Sequence, residues 1–195
     1  MKTGIIILSA GNSSRLGSPK QLLKYKDTTL VQHTISAAEK STFRPIVLVL
    51  GAHAEEILKS LQLQVKYLVN QNWEQGISTS ITAGVKKILE LNAECTDIII
   101  TVSDQPHIST AVFQALAKER LNNKKHIIAS RYAQAIGTPV LFNKKYFEDL
   151  LSLQGHTGAK PILQKNTEDI TTVPFELGDI DIDTQTDYNN LIKVQ

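Results

Sequence analysis

The chain has 195 residues, 42% of them hydrophobic, with 21 Lys and Arg against 19 Asp and Glu and a formal net charge of +2. That length supports one sizeable core spanning residues 1–195 rather than two independent domains, and interspersed, nearly balanced charge gives no basis for a nucleic-acid or membrane surface. A single cysteine, Cys95, excludes an intrachain disulfide and a Cys-rich metal site. No apolar run reaches transmembrane length and the first residues lack a signal-peptide cleavage region, so the expected location is cytoplasmic.

In chain order, short apolar runs at residues 4–9, 46–51, 65–69, 97–102, 126–130, 139–142 and 170–173 read as strands. Between them, helical periodicity covers residues 30–39, 54–61, 80–91, 110–121, 144–151, 159–164 and 187–192, with Thr29 and Ser109 as N-caps. No repeat, low-complexity segment or linker interrupts the alternation, which predicts an α/β sandwich on a largely parallel sheet. Ligands of such sheets bind beyond the carboxyl ends of the strands. The first and fourth strands deliver chemistry-bearing residues to that edge.

The first strand empties into Leu8-Ser-Ala-Gly11-Asn-Ser-Ser-Arg15-Leu-Gly17-Ser-Pro19-Lys20. A loop of small residues presents unencumbered backbone N–H groups, which, with a following helix N-terminus, suit phosphate oxygens. Arg15 and Lys20 add two cations to the same loop. No Gly-Lys-Ser/Thr follows Gly11 at Walker A spacing, and Gly-x-Gly-x-x-Gly is absent, so neither a P-loop nor a dinucleotide fingerprint is present. The pattern predicts a triphosphate or other polyphosphate site.

The fourth strand leads to Ser103-Asp104-Gln105-Pro106, where proline ends the ladder and leaves the Asp104 carboxylate at the rim. There it serves either as a turn or cap residue or as one of the carboxylates a hard Mg²⁺ favours. Asp179-Ile-Asp181-Ile-Asp183 is a second acidic feature. Alternation along an extended segment places its three carboxylates on one face, where they repel unless a cation or water intervenes. A solvent-facing edge strand is the alternative, and Asp187 is expected to cap the last helix. From residue 73 to 84, Gly76 allows close backbone approach, and Ser78, Thr79 and Ser80 can bond a base or cap a helix. Trp73 fits either a stacking or a core role. The five histidines, at 33, 53, 107, 126 and 156, show no metal-ligand spacing and are read as non-catalytic.

The opening loop resembles the L-A-A-G-x-S-x-R-M-G-x-P-K signature of the MobA-like nucleotidyltransferases, in the branch of molybdenum cofactor cytidylyltransferases (MocA-like). Further matches follow in that family's order: Asn72-Trp73-Glu-Gln-Gly76-Ile-Ser-Thr-Ser80-Ile, Ser103-Asp104-Gln105-Pro106, Gly137-Thr-Pro139-Val-Leu-Phe142, Gly155-His-Thr-Gly158-Ala-Lys160 and Asp181-Ile-Asp183-Thr184-Gln-Thr-Asp187-Tyr188. The resemblance implies a single-domain, three-layer α/β/α, Rossmann-like fold on a mixed seven-stranded sheet. It implies nucleotide contacts from Leu8, Ser9, Ala10, Gly11, Arg15, Lys20, Gly76 and Ser80, and catalytic roles for Arg15, Lys20 and Asp104. It also implies Mg²⁺ on Asp104 and Asp181, with Asp183 as the substitute ligand.

The implied reaction moves a nucleoside monophosphate, CTP being favoured by Ser9-Ala10-Gly11, to the phosphate of molybdopterin or its molybdenum-loaded form. Pyrophosphate leaves, and a recipient molybdoenzyme is an implied partner. The alternatives are a sugar-1-phosphate or other small-phosphate nucleotidyltransferase and a CTP- and cofactor-binding carrier with little turnover. His156 stands where the family usually has aspartate in G-D-x-G-A-R, and Lys160 replaces the arginine.

Overall fold

The computed structural model describes residues 1–61, 64–133 and 135–193. Its strands are β1 (Thr3–Ser9), β2 (Lys24–Tyr25), β3 (Thr28–Thr29), β4 (Ile46–Leu50), β5 (Lys66–Val69), β6 (Asp97–Val102), β7 (Ile127–Tyr132), β8 (Ala135–Asn143) and β9 (Ile170–Pro174). The α-helices are α1 (Leu30–Glu39), α2 (Ala54–Ser60), α3 (Ile77–Leu91), α4 (Thr110–Asn122), α5 (Phe147–Leu151), α6 (Lys160–Lys165) and α7 (Gln185–Lys193). Seven strands form one sheet in the order β5-β4-β1-β6-β8-β7-β9. β8 alone among them runs against its neighbours β6 and β7, so the sheet is mixed but mostly parallel.

Strand alternation divides the core into two layers. Ile5 and Ile7 face α1, α2 and α4, joined by Val31, Ile57 and Phe113, whereas Ile6 and Leu8 face the layer of Ile81, Val85 and Leu150 from α3 and α5. Both faces of β1 and β4 are therefore buried, which is why these strands read as continuous apolar runs. This is the expected three-layer α/β/α, Rossmann-like architecture. A third small cluster of Tyr25, Leu30, Ile182 and Leu191 docks α7 beside the loop that follows β1. Among the described residues no helix is long and apolar enough to cross a membrane.

Several boundaries differ from the sequence expectation for local reasons. α3 begins at Ile77, a turn earlier than residue 80, because Gly76 (φ +111°) breaks the chain direction immediately before it. β7 and β8 extend to Tyr132 and Ala135 as a hairpin whose pairing, not its apolar content, carries the last residues. Residues 144–151 split into a 3-10 turn, Lys144–Tyr146, and α5. The β2–β3 pair escapes prediction because two-residue strands show no period. Thr29 caps α1 by accepting from the Gln32 amide, whereas the Ser109 side chain makes no capping bond to α4.

Candidate active site

β1 ends at Ser9, and the chain turns at Ser13, whose carbonyl accepts from Leu16 N at 2.9 Å and Gly17 N at 3.2 Å. The amides of Gly11, Asn12 and Ser13 make no intramolecular hydrogen bond among the described residues. A Cβ placed on Gly11 would meet nothing within 4 Å, so the space beside that residue is open. The expected helix N-terminus does not follow. Lys20–Leu22 is a single 3-10 turn that feeds the β2–β3 hairpin, so what the loop offers an anion is its amides and side-chain cations, not a helix dipole. Gln21, buried and missed in the sequence, pins the loop by donating from Nε2 to the Gly11 carbonyl at 3.0 Å. Its one sequence signal was its place directly after Lys20.

Leu8, Ser9, Ala10, Gly11, Lys20 and Ser80 line one cleft of about 240 Å³, and Trp73 and Asp104 also border it. Ser80 is buried, and its Oγ accepts from Asn70 Nδ2 at 3.0 Å, which fixes the start of α3 against the end of β5. Two predicted nucleotide residues lie outside this lining. Arg15 is exposed on the loop's outer edge. Gly76 serves packing: a Cβ there would fall 2.3 Å from the Gly155 carbonyl oxygen, and positive φ adds strain for any other residue.

The acidic groups converge on Lys20. Its Nζ lies 2.5 Å from Asp104 Oδ2 and 2.7 Å from Asp183 Oδ1, while Arg15 Nη2 reaches Asp183 Oδ2 at 2.7 Å. Asp104 is brought there by the β1–β6 register and by a 3.1 Å bond from Ile182 N to its carbonyl, which ties the C-terminal segment to the rim. Burial alone would lower the Lys20 ammonium, but Asp104 and then Asp183 outweigh it and hold its pKa above the ordinary value. Burial opposes ionisation of Asp183 as well, and Lys20 and Arg15 overcome it, leaving that carboxyl below its usual range.

Asp181 behaves oppositely. It makes no hydrogen bond or ion pair among the described residues. Partial desolvation, then the like charges of Asp104 and Asp183, push its carboxyl up to about 7. The segment 179–183 is irregular, not a strand, and its carboxylates do not share one face. Asp179 and Asp181 border a separate cleft of about 680 Å³ with Tyr25 and His107, while Asp183 turns toward Lys20 and Arg15. Asp187 accepts from Thr184 N at 2.7 Å as Thr184 Oγ1 accepts from Asp187 N at 3.2 Å, a reciprocal cap on α7.

A divalent cation fits this set. Asp104 Oδ1 is a buried carboxylate oxygen with no hydrogen-bond partner, a hard donor left for a hard ion. Among the described residues, no group of three or more His, Cys, Asp or Glu is gathered to hold a metal alone. Of the histidines, His33 bonds the Ile108 carbonyl at 2.9 Å and His126 bonds Asp169 at 3.0 Å, both away from this cleft.

The model of the MobA-like NTP transferase domain matches residues 5–170, and the chain belongs to that family, a nucleotidyltransferase of the MobA-like kind. Nicotine blue oxidoreductase of Paenarthrobacter nicotinovorans is 32% identical over 118 residues, 59% of this chain and 56% of that one, so the chain spans little more than half of that curated relative. Rv0371c from Mycobacterium tuberculosis H37Rv superposes at TM-score 0.88 with 27% identity, over 98% of this chain and 97% of that one. A second structure of Rv0371c, in complex with manganese, gives 0.84 and 24% over the whole of both chains. A CMP:2-keto-3-deoxy-manno-octonic acid synthetase complexed with CTP shares the fold at TM-score 0.78 and 13% identity, over 100% of this chain and 98% of that one.

Proposed function

We propose that this member of the MobA-like NTP transferase family moves a nucleoside monophosphate from a triphosphate to the phosphate of an acceptor. CTP is the favoured donor, molybdenum cofactor the favoured acceptor, and a molybdoenzyme the recipient of the product. The observation that carries the reading is Lys20 seated between Asp104 and Asp183 at the edge of the cleft beyond β1. A cation for phosphate oxygens and carboxylates for a metal occur together there. The Ser9-Ala10-Gly11 run supports CTP, and the manganese named with Rv0371c supports a divalent metal, which we take to be Mg²⁺.

When bound, the metal supplies charge neutralisation at the α-phosphate. Asp104, through its unpartnered Oδ1, and Asp181 hold it, with Asp183 as the alternative second ligand. Lys20 and Arg15 turn to the β- and γ-phosphates, and the amides of Gly11, Asn12 and Ser13 donate to phosphate oxygens. Leu8, Ser9, Ala10 and Ser80 bound the space for the nucleoside, and Gly76 acts on it from outside the lining, by letting the chain pass close to Gly155 just before α3. An acceptor phosphate oxygen attacks the α-phosphorus, a new O–P bond forms, and the bridging bond to the β-phosphate breaks with its electron pair on pyrophosphate. An ionised phosphate needs no general base, so catalysis is positioning and charge stabilisation.

The test is thermal melting with each nucleoside triphosphate, with and without Mg²⁺. Ligand at 100 times its Kd stabilises the native state by about 2.7 kcal/mol. CTP with Mg²⁺ is expected to stabilise more than ATP or GTP. A preference for GTP overturns the cytidylyl assignment, and no stabilisation by any nucleotide overturns the reading as a whole.

A further inference from the structure

Between β9 and α7 the chain runs irregularly and carries Asp179, Asp181 and Asp183. Both ends of that run are anchored. Phe175 is buried and its amide donates to the Arg131 carbonyl at 2.9 Å, while Ile182, fully buried, donates to the Asp104 carbonyl at 3.1 Å. Between those anchors, residues 176–181 make, apart from their own turn bonds, one hydrogen bond to the rest of the chain among the described residues. The Gly178 carbonyl accepts it from Gln105 Nε2, at 2.6 Å. Only glycine fits at 178, because a Cβ would stand 2.5 Å from the Tyr132 ring and 2.6 Å from that of Phe175.

Gln105 directly follows Asp104 and is 1% exposed. Its Nε2 also donates to the Thr138 carbonyl at 3.2 Å. Thr138 falls where the β7–β8 register slips, between the pairs Ala129–Val140 and Ser130–Gly137, and it has no register partner on β6 or β7. The side-chain amide of Gln105 supplies the partner for its carbonyl and spans from β8 to the acidic segment. Because both acceptors are carbonyls, the NH₂ group must face them, and Oε1 is left buried without a partner. An idle buried oxygen costs stability that an apolar side chain of similar length avoids. What the apolar side chain cannot supply is the bridge.

Resting on the metal-dependent nucleotidyl-transfer reading, we infer that Gln105 is a positioning residue: by holding Gly178 it sets where Asp181 stands relative to Asp104, and so whether one divalent ion is held by both carboxylates. Two bonds join residues 104 and 105 to residues 178 and 182, and Asp181 lies on the span they enclose. Asp181 has no hydrogen bond or ion pair of its own among the described residues, and the like charges of Asp104 and Asp183 act on it. With the Gly178 bond gone, the frame opens on one side and repulsion moves the carboxylate away. Mg²⁺ demands near-ideal octahedral geometry with ligands at about 2.0–2.1 Å, so a small displacement of one carboxylate is felt in full.

The test is Mn²⁺ affinity of the full chain, followed by electron paramagnetic resonance. Gln105→Met keeps the length without the donor and is expected to weaken Mn²⁺ about 10- to 100-fold, while CTP affinity measured without metal stays that of the parent. In single-turnover pyrophosphate release, the half-saturating Mg²⁺ concentration is expected to rise by a similar factor, with a smaller change in the rate at saturating Mg²⁺. On an Asp181→Asn background, Gln105→Met is expected to cost little further Mn²⁺ affinity, because a residue acting through Asp181 then has nothing to position. If Gln105→Met lacks a cooperative melt, Gln105→Asn, with its amide one methylene short of both carbonyls, carries the same measurements and expectations. Parent-like Mn²⁺ affinity in the folded variant, with Asp104→Asn weakened, overturns the inference and leaves the metal site standing. An equal loss with and without Asp181 overturns it as well, since Gln105 then acts by another route. Failure of both variants to fold makes Gln105 a residue of the fold alone and also overturns it. Parent-like Mn²⁺ affinity in Asp104→Asn contradicts the metal site itself, and the inference falls with it.

Discussion

Lys20 Nζ rests 2.5 Å from Asp104 Oδ2, so the most buried cation of the phosphate loop is held by the carboxylate assigned to the metal. One group cannot neutralise the carboxylates and bind the triphosphate at full strength together. Lys20→Met therefore separates the two functions. Triphosphate affinity is expected to fall about 10- to 100-fold, the loss of one charge-assisted hydrogen bond of about 1.5–3 kcal/mol. Binding of Mn²⁺ alone, followed by electron paramagnetic resonance, is expected to tighten, because its competitor for Asp104 and Asp183 is gone. A loss in both measurements contradicts the arrangement.

Arg15 differs in kind. Its guanidinium is exposed and, among the described acidic groups, pairs with Asp183 alone, at 2.7 Å. Arg15→Ala is expected to change stability by about 0.5 kcal/mol or less, as surface substitutions do. Triphosphate affinity measured on the same variant is expected to drop by about tenfold. Unchanged affinity removes Arg15 from the phosphate site.

The fold was legible where apolar period and turn residues agreed. Ile5 to Leu8 and Ile98 to Ile100, buried on both faces, could be little other than inner parallel strands. The cleft was legible at Leu8–Gly11 and Lys20 because small residues and a lysine after a buried strand have few structural uses there. The acidic segment was not. Alternation grouped Asp179, Asp181 and Asp183, but Ile182 is buried against Tyr25 and Leu30 and its amide is bound to Asp104, which bends the chain and turns Asp183 alone to Lys20. Gln21 and Asn70 act through hydrogen bonds to residues ten positions away in sequence, and side-chain type does not encode that.

Asp181 gives a pH test. Its carboxyl, raised to about 7 from an ordinary 3.8, keeps a proton in the folded chain that the unfolded chain has lost. Between those values the native state binds more protons, so this group's contribution to stability falls as pH rises and levels off above 7. In the metal-free protein, Asp181→Asn is expected to melt higher than the parent at pH 8 and alongside it near pH 4. Mg²⁺ binding at pH 6 is expected to release a proton, giving tighter binding as pH rises. Parallel melting curves for variant and parent across this range contradict the assignment.

Far from the cleft, Asp97 is 2% exposed and accepts from Arg120 Nε at 3.1 Å, Asn143 Nδ2 at 3.1 Å and Thr96 Oγ1 at 2.6 Å. Removing the cation leaves a buried carboxylate with neutral donors only. Arg120→Ala is expected to cost about 3 kcal/mol in urea unfolding, with CTP affinity of the folded fraction unaltered. A cost near zero contradicts the role given to this pair.

Metal held by carboxylates at the α-phosphate is tested most directly by single-turnover pyrophosphate release across a Mg²⁺ titration, with CTP and molybdenum cofactor. Asp104→Asn preserves size and hydrogen-bonding capacity but removes the charge. Release is expected to slow by about 100-fold or more while Tm shows a folded chain, and adding Asp181→Asn is expected to cost little further, since both serve one ion. Asp104→Asn releasing pyrophosphate at the parent's rate under limiting Mg²⁺ contradicts the two-carboxylate site.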